Sequence, residues 1–191
     1  MPETACYPVI MQVPDALKAL SGREKLAALS RLARESAGLS AEKSGVRIDA
    51  FTKTPSGMPE PSNGVFWSIS HKSDVVAGVV AKSRIGIDIE MIRPVRQQLY
   101  DRILTSEESR LFGNDDSETV FFRAFTAKEA VLKHTGDGIK GLSKAEIAAV
   151  TDKKNVCVTY LNQKYFVENF FGDGYLASVT KQSRDVQWTV V

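Results

Sequence analysis

The sequence predicts an α+β protein built from two similar halves. Apolar residues recur at helical spacing in two long segments, one in each half, and each segment is followed by short alternating runs that are typical of strands. Turn residues separate these runs closely enough for small antiparallel sheets. We therefore expect residues 1–95 and residues 96–191 to form the two halves, each with a helix packed on a small antiparallel sheet.

Composition limits the class of protein. The 191 residues include 25 basic and 23 acidic side chains, a balance that argues against general nucleic-acid binding. Cys6 and Cys157 lack a metal-ligand spacing, which favours a reducing compartment. The segment Met1–Thr4 lacks the features of a secretory signal, and no apolar run approaches the roughly 20 residues of a membrane span. We expect a cytoplasmic protein that does not enter membranes.

The first half should contain one long helix, from about Arg23 to Ala37. Ser21 and Glu24 have the spacing of a capping box at its start, and Gly38 is the expected stop. Its polar face carries four basic side chains: Arg23, Lys25, Arg31 and Arg34. A face of this kind is usually solvated.

Strands should account for most of the remaining first half. Residues 46–51 alternate as a strand, and residues 54–64 are rich in proline and glycine, which predicts a surface loop. Three further strands should form an antiparallel meander: residues 66–70, 75–81 and 85–89.

The second half begins with helices. Thr105 and Glu108 have capping-box spacing, and a longer helix is predicted from Ser117 to Thr135, with a stop at Gly136. Five strands should follow: residues 147–150, 156–161, 165–170, 175–179 and 186–190.

Two acidic residues in the third strand of the meander suggest a metal site. Asp88 and Glu90 point to one face of the strand, while Ile87 and Ile89 point to the other. Neighbouring carboxylates repel one another, and burying them is costly unless a cation lies between them. Their oxygens suit a hard ion such as Mg²⁺. An acidic strand end that faces solvent would have the same pattern.

Two further groups of polar residues have the chemistry of a site. Ser70, His71 and Lys72 bring hydroxyl, imidazole and ammonium donors together, as in an anion-binding site. A Ser–His nucleophilic pair is disfavoured, because adjacent strand residues face opposite ways and no orienting acid is evident. Glu129 and Lys133 share one helix face. A surface ion pair is the ordinary interpretation, but the apolar helix around them suggests partial enclosure.

Three ordered segments, Trp67–His71, Gly86–Glu90 and Phe125–Lys133, resemble the signatures of 4′-phosphopantetheinyl transferases of the monomeric, surfactin-synthetase-activating type. The resemblance covers about residues 23–142. It implies a pseudo-twofold arrangement of two α+β halves, with coenzyme A and Mg²⁺ in the cleft between them. It also implies a monomer that transfers phosphopantetheine from coenzyme A to a serine hydroxyl of an acyl or peptidyl carrier protein, releasing 3′,5′-ADP.

The same resemblance implies roles for individual residues. Three carboxylates look like metal ligands: Asp88, Glu90 and Glu129. Three residues look catalytic: Glu129 as the proposed base, Lys133 beside the scissile phosphate, and His71. Five residues resemble those that bind coenzyme A: Ser70, His71, Lys133, Arg23 and Lys128.

Two positions depart from the family pattern. Met58 stands where the family usually has lysine or arginine between a glycine and a proline, so another basic residue such as Lys53 would have to bind the nucleotide end. Phe125 replaces the usual tryptophan and keeps an aromatic ring.

Two other functions stay open. A metal-dependent hydrolase that cleaves a nucleotide pyrophosphate with water would use the same carboxylates and need no carrier protein. A non-catalytic carrier-binding module would have no need of the three carboxylates and Lys133, and Met58 is the feature that favours it.

Overall fold

The computed structural model describes residues 4–191. Residues 1–3 lie outside the described residues. They belong to the segment Met1–Thr4, in which no secretory signal was expected. Within residues 4–191, no helix has both the length and the apolar character needed to cross a membrane.

The helices and strands follow one another in two groups along the chain. The first group contains β1 (Ala5–Cys6), β2 (Val9–Gln12), α1 (Asp15–Lys18), α2 (Gly22–Ser44), β3 (Phe66–His71), β4 (Val75–Ala81) and β5 (Ile87–Met91). The second group contains α3 (Gln97–Ile103), α4 (Ser106–Arg110), α5 (Ser117–Thr135), a 3₁₀ helix (Gly138–Lys144), β6 (Glu146–Val150), β7 (Asn155–Tyr160), β8 (Gln163–Phe171), β9 (Tyr175–Thr180), β10 (Asp185–Val186) and β11 (Thr189–Val190).

Two sheets organise the molecule. One has the strand order β11–β2–β4–β3 and packs against α2, mainly through β4 and β3. The other has the order β5–β9–β8–β7–β6 and packs against α5, mainly through β9 and β5. The short strands β1 and β10 pair in parallel. The predicted α+β class, with a long helix packed on each small sheet, is confirmed.

The predicted three-stranded meander is wrong in its third strand. β3 and β4 pair as expected, but β5 pairs antiparallel with β9 in the other sheet, with Asp88 opposite Ser178. The reason is that β2 occupies the second edge of β4, which leaves no edge for β5. Likewise, β11 from the second half of the sequence pairs with β2. Each sheet therefore contains one strand from the other half of the sequence: β5 in one sheet and β11 in the other. The division between residues 95 and 96 stays a prediction.

Two glycines let the helices approach the strands closely. A Cβ atom on Gly78 of β4 would lie 2.4 Å from the backbone nitrogen of Ala37 in α2. A Cβ on Gly86, just before β5, would lie 1.9 Å from the carbonyl oxygen of Ala130 in α5. Since heavy atoms cannot come this close, only glycine allows these contacts. The contact at Gly86 holds α5 directly against the start of β5.

Several local predictions need correction. The helix α2 continues past Gly38 to Ser44, because its buried face continues through Ala41, and Gly45 caps it in the left-handed conformation. Ser21 makes no side-chain capping bond, so the capping box expected there is wrong.

Two strand predictions also differ from the structure. Residues 46–51 form no strand, although Val46, Ile48 and Phe51 pack against the core beside α2. The alternation of apolar and polar residues therefore places one side of this segment on the core, but no neighbouring strand among residues 4–191 pairs with its backbone. The last predicted strand, residues 186–190, is divided into β10 and β11, which pair with β1 and β2 respectively. The capping box of Thr105 and Glu108 and the bounds of α5 are confirmed.

Candidate functional site

A cavity of about 300 Å³ lies where the end of β3, the strand β5 and the helix α5 meet. Asp88 and Glu90 line it from β5, and Glu129 and Lys133 line it from α5. The other lining residues are Lys53, Ile69, Ser70, His71, Lys72, Phe125 and Ile139. The structure thus brings together most of the residues that the three motifs singled out.

The acidic face of β5 is enclosed. Asp88 is 4% exposed and Glu90 is 8% exposed, and Ile87 and Ile89 are buried in a core cluster. The predicted alternation of the strand is therefore confirmed, and an acidic strand end facing solvent is excluded. Two nearly buried carboxylates need compensating positive charge.

Asp88 has a fixed and a free oxygen. Its Oδ1 accepts a hydrogen bond from Ser70 Oγ at 2.8 Å and lies 2.8 Å from Lys133 Nζ. Lys133 also donates to the backbone carbonyls of Ile69 and Ile87, at 3.3 and 3.0 Å. Asp88 Oδ2 is buried without a hydrogen-bond partner in the described part of the chain. Lys133 therefore forms its ion pair with Asp88, not with Glu129 on the same helix face. Its partial enclosure agrees with what the apolar character of α5 suggested.

Glu90 and Glu129 complete the acidic group. Glu90 Oε1 lies 2.7 Å from the ammonium of Lys72. Glu129 Oε1 is buried and finds no donor among residues 4–191. Burial, and after it the negative charge of Asp88, raises the pKa of Glu129 to about 6. Burial also raises the pKa of Glu90 above its ordinary value.

The acidic group fits a divalent cation by the chemistry of its atoms. Asp88 Oδ2 and Glu129 Oε1 are buried acceptors without donors, and carboxylate oxygens are the ligands that Mg²⁺ and Ca²⁺ prefer. Among residues 4–191, however, no three acidic, histidine or cysteine side chains are placed close enough together to hold a metal ion as they stand. Two of the carboxylates are instead paired with Lys133 and Lys72.

The rest of the cavity is suited to an anion. The ammonium groups of Lys53, Lys72 and Lys133 belong to residues that line it. Burial first, and then the positive charges of Lys133 and Lys72, lower the pKa of His71, which favours its neutral form. The cavity can therefore offer both cationic donors and a neutral imidazole to a phosphate group.

A second cavity of about 420 Å³ adjoins the first and shares Lys53, Ile69, Lys133 and Ile139 with it. Met58 lines this second cavity, and Lys53 belongs to both. Ile139 was not predicted as a site residue; it lines both cavities and is 67% exposed. The glycine-rich turn before it, residues 136–138, was the only local signal for this position.

Two of the predicted site residues lie elsewhere. Lys128 is 2% exposed and lines neither cavity; its ammonium lies 2.6 Å from Glu108 Oε1 and donates to the carbonyl of Ile103, also at 2.6 Å. Arg23 is exposed at the start of α2 and lines neither cavity. Ser70 lines the first cavity, but its hydroxyl donates to Asp88, so it positions that carboxylate.

The contacts of Lys128 predict a structural effect rather than a binding effect. Lys128→Met should lower the free energy of unfolding by about 3–5 kcal/mol, because Glu108 would stay buried without its cation. Urea denaturation measures this loss. The double variant Lys128→Met/Glu108→Gln should recover part of it. A stable Lys128→Met protein with weakened coenzyme A binding would instead place Lys128 at the ligand.

Comparison with known proteins identifies the family. Residues 84–190, more than half of the chain, match the model of the 4′-phosphopantetheinyl transferase superfamily. The matched segment begins just before β5 and includes Asp88, Glu90, Glu129 and Lys133. It therefore contains the acidic group described above.

Individual relatives are similar over part of their length. The 4′-phosphopantetheinyl transferase HetI of Nostoc sp. is 37% identical over 92 residues, which are 45% of this chain and 39% of that protein. The 4′-phosphopantetheinyl transferase psf-1 of Bacillus pumilus is 36% identical over 81 residues, 40% of this chain and 35% of the relative. Enterobactin synthase component D of Salmonella typhimurium is 32% identical over 95 residues, 47% of this chain and 41% of the relative.

The chain spans less than half of the length of each of these relatives. The family model, in contrast, covers most of the second sequence half together with β5. The model matches more than half of the residues of this chain. The chain therefore belongs to the 4′-phosphopantetheinyl transferase superfamily, as its three motifs predicted.

Proposed function

We propose that this protein transfers phosphopantetheine from coenzyme A to a serine hydroxyl of an acyl or peptidyl carrier protein, with Mg²⁺ as its cofactor and 3′,5′-ADP as the second product. The observation that carries the proposal is one cavity in which unpartnered carboxylate oxygens stand beside three lysines and a histidine. A site of this kind suits a divalent cation together with a phosphate-containing ligand.

The cation would be held by three carboxylates: Asp88, Glu90 and Glu129. When bound, Mg²⁺ would stabilise negative charge on the oxygens of the pyrophosphate as a Lewis acid. Ser70 holds Asp88 in place through the hydroxyl bond to Oδ1. Ordering of this kind around a metal ligand contributes to metal affinity.

Lys133 is suited to stabilise charge that develops on the phosphate. Two backbone carbonyls and Asp88 hold its ammonium, so it needs no rearrangement when the reaction occurs. Because Lys133 lines both cavities, it can contact a ligand that extends from one to the other. His71 adds a second donor at the end of β3.

Glu129 is suited to act as the base. The serine oxygen of the carrier would bond to the phosphorus next to the pantetheine, the bond from that phosphorus to the bridging oxygen would break, and 3′,5′-ADP would leave. The hydroxyl proton would pass to Glu129, whose Oε1 is buried and accepts no hydrogen bond from the described residues.

The first test separates transfer from hydrolysis. Coenzyme A and Mg²⁺ are incubated with the protein, with and without an apo-carrier, and nucleotide release is measured by chromatography. We expect 3′,5′-ADP only when the carrier is present. Release without a carrier would favour the hydrolase, and no release under either condition would favour a non-catalytic binding module.

Met58 provides a test of the nucleotide end. It lines the second cavity, and a thioether cannot form a charge-assisted hydrogen bond with a phosphate. Met58→Lys should therefore tighten coenzyme A binding by about 1.5–3 kcal/mol, the range for hydrogen bonds to charged groups. Calorimetry measures the change, with Met58→Leu as an apolar control that leaves affinity unaltered. Unchanged affinity of Met58→Lys would indicate that Lys53 already fills this role.

A further inference from the structure

The mechanism proposed above gives no task to Lys72. Its ammonium lies 2.7 Å from Glu90 Oε1, so it pairs with one of the carboxylates proposed to hold Mg²⁺. The side chain of Glu90 is 11% exposed, whereas that of Lys72 is 35% exposed. A lysine therefore contacts an oxygen atom that the cation would use.

The two lysines that pair with cavity carboxylates are anchored differently. Lys133 has three acceptors: Asp88 Oδ1 and the carbonyls of Ile69 and Ile87. The ammonium of Lys72 is paired with Glu90 alone in the described part of the chain. Moving Lys133 would break three interactions, but moving Lys72 breaks one and releases a flexible, partly solvated side chain. Of the two, Lys72 is the one that can leave at low cost.

We propose that Lys72 is an exchangeable counter-ion of Glu90. It neutralises Glu90 when no divalent cation is bound, gives up this carboxylate when the cation binds, and then contacts the phosphate groups of the ligand in the same cavity. This inference rests on the proposed function, because its cation and its phosphate are those of the transfer reaction.

Electrostatics favours such an exchange in both directions. Without a cation, Asp88, Glu90 and Glu129 would repel one another, since Asp88 and Glu90 are nearly buried, and the Lys72 ammonium reduces this repulsion. With a divalent cation bound, an ammonium at the same carboxylate would be repelled by that cation. An anionic ligand is then the nearest partner for the released side chain.

The first test is a titration with Mn²⁺, followed by the electron paramagnetic resonance signal of the free ion. Since Lys72 competes for Glu90, Lys72→Met should bind Mn²⁺ about two- to fivefold more tightly than wild type, the factor that corresponds to a partly exposed ion pair. Lys72→Gln should do the same, and Lys72→Arg should restore the wild-type affinity.

Lys53→Met is the matched control for charge alone. Lys53 lines the same cavity, and among the described residues it forms no ion pair with a carboxylate. Its removal measures the through-space effect of losing one positive charge. The gain in Mn²⁺ affinity should therefore be smaller in Lys53→Met than in Lys72→Met. Equal gains would contradict direct competition.

The second test measures coenzyme A binding by calorimetry with and without Mg²⁺. With Mg²⁺, Lys72→Met should bind coenzyme A about tenfold more weakly than wild type, because a charge-assisted contact with phosphate is lost. Without Mg²⁺ the two proteins should differ by less than about twofold, since Lys72 is then engaged with Glu90.

The opposite results overturn the exchange. If Lys72→Met binds Mn²⁺ with the same affinity as wild type, or more weakly, Lys72 does not compete for Glu90. A wild-type protein that binds no Mn²⁺ at all would exclude the competition as well. An equal loss of coenzyme A affinity with and without Mg²⁺ would make Lys72 a fixed phosphate contact. Carrier modification is assayed separately. If the protein modifies a carrier but Lys72→Met does not change Mn²⁺ and coenzyme A affinity as predicted, only the exchange is refuted. If the affinities change as predicted but no carrier is modified, only the proposed function is refuted.

Discussion

Replacing Asp88 with alanine is expected to lower phosphopantetheine transfer by on the order of 10²–10³-fold, the loss typical of removing a group that stabilises charge in a transition state. The substitution removes the buried Oδ2, which has no partner among the described residues, and Oδ1, which Ser70 and Lys133 both contact. Lys133 keeps two carbonyl acceptors, so the fold should persist. Steady-state kinetics at saturating Mg²⁺ measures the loss, and circular dichroism checks folding.

Two further variants make the result specific. Asp88→Asn keeps the shape of the side chain but removes its charge, and it should be nearly as inactive as Asp88→Ala. Asp185→Ala removes an exposed carboxylate on β10 and should leave activity unaltered. Normal turnover by a folded Asp88→Ala protein would refute the assignment of this carboxylate to the cation.

The second large effect is expected at a residue without a side chain. A Cβ on Gly86 would lie 1.9 Å from the carbonyl oxygen of Ala130 and 2.6 Å from the backbone nitrogen of His134, so Gly86→Ala must displace α5. The backbone at Gly86 cannot move away easily, because the Gly86 N–H donates to Thr180 Oγ1 and the Thr180 N–H donates to the carbonyl of Gly86. We expect a loss of about 3 kcal/mol in the free energy of unfolding, the upper end of the range for overpacking.

The same displacement should impair the site. Ala130 follows Glu129 in α5, and a shift of about 1 Å in a catalytic group can cost on the order of 10²-fold in rate. Gly38→Ala is the control, since Gly38 lies inside α2 and a Cβ added there would meet no atom of another element within 4 Å. That variant should be more stable by about 0.5–1 kcal/mol. Wild-type activity in Gly86→Ala would show that α5 need not touch β5 here.

Local patterns in the sequence were sufficient for several elements. The bounds of α5 follow from an apolar period of 3.6 residues and from Gly136, which caps the helix in the left-handed conformation. The cavity-facing positions of Asp88 and Glu90 follow from strand alternation and the burial of Ile87 and Ile89. Such features depend on neighbours along the chain, which a single sequence displays.

Other features depend on residues distant in sequence and could not be predicted. The sheet that β5 joins is decided by β2, which lies near the start of the chain and occupies the second edge of β4. The alternation within β5 determines which side chains share a face, but it does not determine which strand lies beside them. Residues 46–51 alternate like a strand in the same way, yet they lack a partner.

Ion pairs are the clearest case of this limit. Lys128 and Glu108 look like ordinary surface charges on two helices, but they meet in the interior, where Glu108 also accepts hydrogen bonds from the backbone of Thr105 and Ile147. Lys72 could be predicted to lie near a bound anion, whereas its contact with Glu90 required the positions of β3 and β5. Charge pairing in the site is a product of the fold.

The most direct test of the proposed function is the intact mass of an apo-carrier protein after incubation with this protein, coenzyme A and Mg²⁺. The proposal predicts that the carrier gains the mass of one phosphopantetheine group. The gain should be absent when the acceptor serine of the carrier is replaced by alanine, and it should appear far more slowly with Asp88→Ala than with wild type. Unchanged masses for both acyl and peptidyl carriers, with coenzyme A nevertheless cleaved to 3′,5′-ADP, would contradict transfer and show that the cavity serves hydrolysis.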